Sequence, residues 1–397
     1  MIEVIDKTKC CGCGSCFQKC PRNCISMELD DEGFLYPVVN LDRCINCKLC
    51  EIVCPSLHGE EEKVPLIVYA ATSRDENLRR VSSSGGIFSL LANRILESGG
   101  IVVGAAFTED WQVKMICISD KHELWKLRGS KYVQADVGNS FRETEKYLKE
   151  GREVLYSGTP CQIKALKLYL RKNFDNLFTV DIACHGVPSP GVWSSYLQEL
   201  LEMVHNNNNR NVKSNTLDVL RIKNVNFREK SEGWRKYHLV FDIVESKNGN
   251  DKVTQLSFVH YENPYFNAFN YNLIIRPSCS NCPAKYGKSL SDITIGDFWG
   301  IENVVPLLDD DKGSSLVLIN TEKGRSLFNQ LDVNRVQCSY EEVLKYNTGL
   351  RENARYHLMR QKFFLKFKNK KMVTKYMSSF LTISFIQRII KFIKRKF

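Results

Sequence analysis

Ten of the sixteen cysteines lie within the first 55 residues, and eight of them form a duplicated pattern. Cys10, Cys13, Cys16 and Cys20 precede Pro21, and Cys44, Cys47, Cys50 and Cys54 precede Pro55, so each run reads C-x2-C-x2-C-x3-C-P. Thiolates at that spacing hold [4Fe–4S] clusters, the first three wrapping one cluster and the fourth crossing to the other. The expectation is therefore a first cluster on Cys10, Cys13, Cys16 and Cys54 and a second on Cys44, Cys47, Cys50 and Cys20. Gly12 and Gly14 would let the loop turn tightly around a bulky inorganic core. With no secretory signal read ahead of the run, a disulfide framework is disfavoured, and zinc sites use well-separated cysteine pairs. Cys11 and Cys24 fall outside the spacing and read as spare small residues.

A second group of thiols lies far downstream. In Gly158-Thr159-Pro160-Cys161-Gln162, Thr159 suits an N-cap and Pro160 a first helical residue, which puts Cys161 in the first turn of a helix. The helix dipole favours a thiolate there, as a nucleophile or a metal ligand. Cys184 ends the next strand and is followed by His185-Gly186-Val187-Pro188. If the two strands are parallel neighbours, both cysteines sit on the carboxyl edge of the sheet, where ligands bind in open α/β folds. Cys279 and Cys282 add a C-x2-C pair. The four thiols are enough for a third [4Fe–4S] cluster, and spacing leaves open two structural cysteines plus a separate redox or zinc pair. Cys117 and Cys338 read as core residues.

Ser82-Ser83-Ser84-Gly85-Gly86 precedes a helix, and its free N–H groups suit either a diphosphate or a plain capping turn. No G-x-G-x-x-G is present, so a nicotinamide dinucleotide in a Rossmann site is not supported. His185 could relay a proton or orient its loop, Lys131 could face an anionic cofactor or solvent, and Asp297 reads as an orienting group.

The elements that must position these groups follow from periodicity. Residues 1–60 form the two-cluster module, with a turn at Asp30-Asp31-Glu32-Gly33 between two short strands. After a charged linker at 60–65, apolar runs alternate with helical stretches, the pattern of a mixed α/β body. Strands are predicted at 66–72, 101–107, 154–157, 178–183, 293–296 and 316–320, and helices at 87–97, 162–172 and 191–204. An antiparallel sheet is predicted at 219–227, 237–245 and 253–259. A family resemblance carried by motifs along the body implies its division into 65–150 and 151–345, and a basic tail covers 357–397. That tail holds twelve of the 56 Lys and Arg residues and no acid, so the formal net charge of +11 belongs to it. Residues 380–397 set Leu381, Phe385, Ile389 and Ile393 against Arg388, Lys391 and Lys394, an amphipathic cationic helix. Docking on an anionic membrane is the preferred expectation, with docking on the body or an acidic partner next and nucleic acid not expected. The expected location is the cytoplasm, peripheral to the inner face of the membrane.

Ser84-Gly85-Gly86, Gly129-Ser130-Lys131-Tyr132, Gly158 to Gln162, Cys184 to Pro188, Cys279-x2-Cys282 and Asp292 to Asp297 occur in this order. Together they resemble the family of coenzyme F420 hydrogenase/dehydrogenase beta subunits, with a ferredoxin-type module fused in front. The resemblance implies a flavin-binding body that carries FAD and moves electrons between it and [4Fe–4S] clusters. Ser84, Gly85, Gly86, Ser130, Lys131, Tyr132 and Thr159 then become candidate FAD contacts, and Cys161, Cys184, Cys279 and Cys282 the third cluster's ligands. His185 and Lys131 are the candidate groups at the reacting centre. A ferredoxin-like donor or acceptor and an organic two-electron substrate, F420-like or a polysaccharide precursor, are the expected partners. The alternative is an electron-transfer subunit of a larger membrane-associated complex.

Overall fold

Each cysteine run folds into a loop followed by one short helix, Ser15–Lys19 and Leu49–Ile52. Gly12 and Gly14 take φ of +67° and +65°, and Asn46 and Lys48, at the same places in the second run, take +51° and +59°. The two loops thus repeat one left-handed pattern, which glycine and asparagine adopt readily and lysine only under constraint. Between the runs, β1 (Ile25–Leu29) and β2 (Leu35–Val39) pair antiparallel across the Asp30–Gly33 turn. The computed structural model describes residues 1–208, 219–247, 250–367 and 372–382.

The body is an eight-stranded mixed sheet built from β3 (Ile67–Ser73), β4 (Ile101–Phe107), β5 (Val113–Ile118), β6 (Val154–Gly158) and β7 (Leu177–Ile182). A separate three-stranded antiparallel sheet holds β8 (Val219–Glu229), β9 (His238–Lys247) and β10 (Asn250–Val259), as the alternation predicts. The main sheet is completed by β11 (Ile293–Asp297), β12 (Ser315–Ile319) and β13 (Val333–Cys338) in the order β13-β3-β12-β11-β7-β6-β4-β5. Its middle strands β11, β7, β6 and β4 are parallel. The helix Pro160–Leu170 crosses from β6 to β7, so Cys161 and Cys184 do lie on one carboxyl edge. The helix Ile87–Glu97 buries Ile87, Leu91, Ala92, Ile95 and Leu96, a stripe at helical spacing. Each large aliphatic there contributes about 1.5–3 kcal/mol.

β5 and β13 have no counterpart in the predicted strands. Both are edge strands, and β13 exposes most of Val333–Cys338, so its sequence reads as polar loop.

The basic tail needs a larger correction. The helix Arg360–Phe367 and the helical stretch at 373–382 are packed into the largest core, where Phe363, Phe364, Phe367, Val373, Met377 and Phe380 are buried. The same core includes Phe34 and Tyr36 from the module, Trp193 and Tyr196 from the helix Pro190–Asn208, and Phe227 and Phe241 from the second sheet. Lys362, Lys366 and Lys375 of this segment are exposed around an aromatic stripe while Arg360 is buried with it, and composition alone reports only the charges. Residues 383–397, most of the predicted amphipathic helix, lie outside the described residues. No helix among the described residues is long and apolar enough to cross a membrane.

The module is fastened to the body by its hairpin turn. A Cβ on Gly33 would lie 2.6 Å from the Gly191 Cα, so the turn seats directly on the start of a helix. Arg360, nearly inaccessible, grips the Glu32 carboxylate with both Nη atoms and donates Nε to the Ile275 carbonyl at 2.7 Å. Removing one partner of a buried pair leaves the other uncompensated. Glu32→Ala should therefore lower the unfolding free energy by about 3–5 kcal/mol in anaerobic chemical denaturation. A loss below about 1 kcal/mol, the range of solvent-exposed pairs, would count against burial of this contact.

Candidate functional site

The four downstream cysteines are drawn together by backbone contacts. Residues 187–189 pair with 274–276, through Arg276 N–H to the Val187 carbonyl at 2.9 Å and Ser189 N–H to the Ile274 carbonyl at 2.9 Å. This brings Cys279 beside the Cys184 loop, where a Cβ on Gly186 would lie 3.5 Å from the Cys279 Cβ. From the other side Lys164, one helical turn after Cys161, donates Nζ to the Pro283 carbonyl at 3.0 Å, next to Cys282. Thr159 caps the helix as predicted, its N–H bonded to Gln162 Oε1 at 2.9 Å and its Oγ1 3.2 Å from Cys161 Sγ. Burial pushes the Cys279 and Cys282 thiols up to about 12 and about 11, with the charge of Cys161 adding to both. Burial likewise raises Cys184. The helix-dipole expectation for Cys161 is reversed: the bond to Cys11, then burial, push its thiol up. Thiols crowded out of water in this way are stable as thiolates when metal holds them, so the donor set fits a cluster.

In the module, burial and the neighbouring charges of Cys10 and Cys54 push the Cys16 thiol up to about 12, and burial raises Cys54. Cys20, Cys24, Cys44, Cys47 and Cys50 line one small cavity. Backbone N–H groups are aimed at sulfur in this second set, from Cys24 to Cys20 Sγ at 3.4 Å and from Ile2 to Cys50 Sγ at 3.3 Å. Such donors stabilise cluster thiolates and tune them. Among the described residues no three His, Cys, Asp or Glu side chains are set to hold a single metal ion.

A cavity of about 550 Å³ opens on the carboxyl edge of the central strands, within the usual size of cofactor sites. Cys161 and Cys184 form part of its wall, and Ser84, Gly86, Ser130, Lys131, Tyr132, Thr159 and His185 form much of the rest. Gly86 starts the helix Ile87–Glu97 at φ +90° with no side-chain cap, leaving the first amides to a ligand. Ser130 donates its N–H to Ser83 Oγ at 2.8 Å, which joins the two loops. Gly85, expected at the ligand, faces the sheet instead. Its N–H bonds Ser315 Oγ at 3.0 Å, and a Cβ would lie 2.4 Å from the Ala71 carbonyl oxygen. His185 bonds Asn272 Oδ1 through Nε2 at 2.6 Å and stands edge-on to Phe269, and burial lowers its pKa.

The family models that match divide the chain in the same way. A 4Fe-4S dicluster domain matches residues 9–57, and the N-terminal and C-terminal models of the coenzyme F420 hydrogenase/dehydrogenase beta subunit match 68–141 and 151–342. The chain belongs to that family of beta subunits. It is similar to one of the subunits of the F(420)H(2) dehydrogenase of Methanosarcina mazei, 28% identical over 191 residues, covering 44% of this chain and 51% of the relative. It is also similar to a coenzyme F420-dependent sulfite reductase of Methanocaldococcus jannaschii, 22% identical over 360 residues, covering 86% of this chain and 49% of the relative. The chain therefore spans about half the length of these two relatives. A chain in the structure of the F420-reducing [NiFe] hydrogenase complex from Methanosarcina barkeri aligns with 83% of this chain and 95% of its own, at 18% identity and a TM-score of 0.45.

Two cavity residues escaped the sequence reading. Cys11, read as spare, lines the cavity in contact with Cys161. Arg228, the second-to-last residue of β8, pairs with Asp297 at 3.0 Å, lies 3.9 Å from the Tyr237 ring centre, and leaves a buried Nε without a partner. Asp297 holds that arginine and accepts from Trp234 Nε1 at 3.3 Å, which fits its orienting role. In the sequence Arg228 falls just past the predicted strand 219–227, among other charged residues, and carries no signal of its own.

Lys131 gives the cavity a pH signature. Its Nζ donates to the carbonyls of Arg128 and Gly129 at 3.1 and 3.2 Å, and burial pushes its pKa down to about 7. Above pH 7 the free protein holds the neutral amine, whereas a bound diphosphate favours the ammonium, so binding takes up a proton. If FAD is the diphosphate ligand, as the family resemblance implies, its affinity should fall by up to about tenfold per pH unit above 7. Calorimetry in buffers of different ionisation enthalpy checks the proton uptake, and Lys131→Gln should flatten the slope.

Proposed function

We propose that this chain is a flavin- and iron–sulfur-dependent oxidoreductase. Single electrons enter or leave through the module, and a two-electron organic acceptor or donor is served at the cavity. The observation that carries this reading is adjacency: Cys11 of the first cysteine run, Cys161 and Cys184 share one cavity with the Ser82–Gly86 and Ser130–Tyr132 loops. FAD, when bound, exchanges one electron at a time with clusters and two with an organic partner.

In this proposal Cys10, Cys13, Cys16 and Cys54 hold one cluster, Cys20, Cys44, Cys47 and Cys50 a second, and Cys161, Cys184, Cys279 and Cys282 a third. The amides after Gly86, with Ser84, Ser130 and Lys131, hold the diphosphate. Thr159 orients the first turn that presents Cys161, and Tyr132 closes the wall within an aromatic group that includes Phe227, Phe266 and Phe269. His185, bonded through Nε2 to the Asn272 carbonyl oxygen, keeps its proton on Nε2 and leaves Nδ1 as an acceptor. A second cavity of about 370 Å³ shares His185 and Asn270 with the first, which gives an organic partner room of its own. This favours an enzyme over a subunit that only relays electrons. An F420-like deazaflavin and nucleotide-sugar precursors are the first partner classes to test.

Anaerobically purified protein should hold about twelve iron atoms, four per [4Fe–4S] cluster, and one flavin per chain. Cys161→Ser should reduce the iron to about eight. Wild-type protein with about eight iron atoms and no flavin would overturn the proposal. Flavin that is reoxidised only by a copurifying protein would make the chain an electron-transfer subunit instead.

A further inference from the structure

Arg276 is a buried cation that forms no ion pair with a carboxylate among the described residues. Its Nε donates to the Cys10 carbonyl at 2.8 Å, its Nη1 to Gln134 Oε1 at 2.9 Å and its Nη2 to the Leu35 carbonyl at 2.9 Å. The same Nη2 lies 3.8 Å from Cys10 Sγ, and the guanidinium stacks 4.2 Å from the centre of the Tyr36 ring. Every contact is to the module or to the strip of body facing it. Gly12 makes room for the group, since a Cβ there would lie 2.6 Å from Nη1 and 2.7 Å from Cζ. At its other end, the Arg276 carbonyl accepts the N–H of Cys279 at 3.1 Å.

A guanidinium buried without a counter-charge is strongly unfavourable, so something anionic must face it. Four thiolates around a [4Fe–4S] core are a net anion, and Cys10 is one of them. Arg22 and Lys48 line the cavity of the second cysteine set, but among the described residues the donors to its sulfurs are backbone N–H groups and the Cys24 thiol. Cys47 of that set is exposed.

We propose that Arg276 is a positioning and tuning residue of the first cluster. Its charge and its N–H···S contact favour the reduced, more negative state and hold that cluster at a higher potential than the second. Cys20, Cys44, Cys47 and Cys50 would hold the second cluster, with Cys47 exposed, and the two clusters when bound would exchange single electrons with no proton moved. The segment from Arg276 to Cys282 thus binds the inner cluster at one end and supplies two of the next four thiols at the other.

The test is an EPR-monitored redox titration of the anaerobic full-length protein, a readout of the module that is independent of flavin content. Arg276→Gln should shift the equilibrium between the two module clusters at least tenfold toward the second, a fall of about 59 mV or more in the first cluster's midpoint. Arg276→Lys, which keeps the charge, should recover most of that difference. Unchanged midpoints in Arg276→Gln at full iron content would overturn the assignment. Should Arg276→Gln fail to assemble, wild-type protein labelled with 15N-arginine supplies the second measurement. Pulsed EPR of the reduced first cluster should show a 15N coupling, and its absence would also overturn the assignment.

Discussion

Cluster thiolates are anions that must be shielded from water and still be compensated, and the loop from Cys10 to Gly14 is where this chain meets both demands. Its two glycines take left-handed backbone angles, and the carbonyls of Cys10 and Cys11 turn toward the body. These carbonyls receive the body: Arg276 takes that of Cys10, and Gln134 donates Nε2 to that of Cys11 at 3.0 Å. Just beyond the loop, Gln18 Oε1 accepts the N–H of Phe141 at 2.9 Å, and Arg142 Nε donates to the Gln18 carbonyl at 2.7 Å. The loop is thus a cradle on one side and an interface on the other. A side chain at Gly12 would spoil both faces at once.

The central cavity depends on topology in the same way that the module depends on this loop. Parallel neighbours deliver the ends of β6, β7 and β11 to one edge, and the crossover helix between β6 and β7 turns Cys161 back toward Cys184. The second sheet supplies Arg228 from above, and the loops at 82–86 and 128–132 supply hydroxyls, glycines and one weakly basic lysine. No single stretch of the sequence makes the site. A set of ends brought together by the sheet does.

This division explains what could be read in advance. The cysteine runs were legible because metal ligation fixes spacing within a few residues. Cys161 and Cys184 were legible because parallel strands have a defined carboxyl edge. Arg276 and Arg228 were not, since each is a single arginine whose partners are scattered along the chain, 266, 241 and 142 residues away for Arg276 and 145 and 96 for two of those of Arg228, and follow no local period. Cys11 was passed over because it lies outside the repeat, although its neighbour Cys10 made it the natural thiol to reach the body. In the tail, twelve positive charges outweighed an aromatic stripe that was already visible at Phe363, Phe364 and Phe367. Edge strands β5 and β13 lack the two-sided burial that makes a strand recognisable.

The contact between Glu32 and Arg360 joins positions 328 residues apart. During synthesis the cysteine module leaves the ribosome before the body, and the residues that clasp its hairpin turn follow more than 300 residues later. Until Arg360 has been made, the module is therefore a tethered unit without this clasp. Metal delivery has its easiest access in that interval, before docking covers the first cysteine set. The order of manufacture is thus written into the fold: fill the module, then close the body over it.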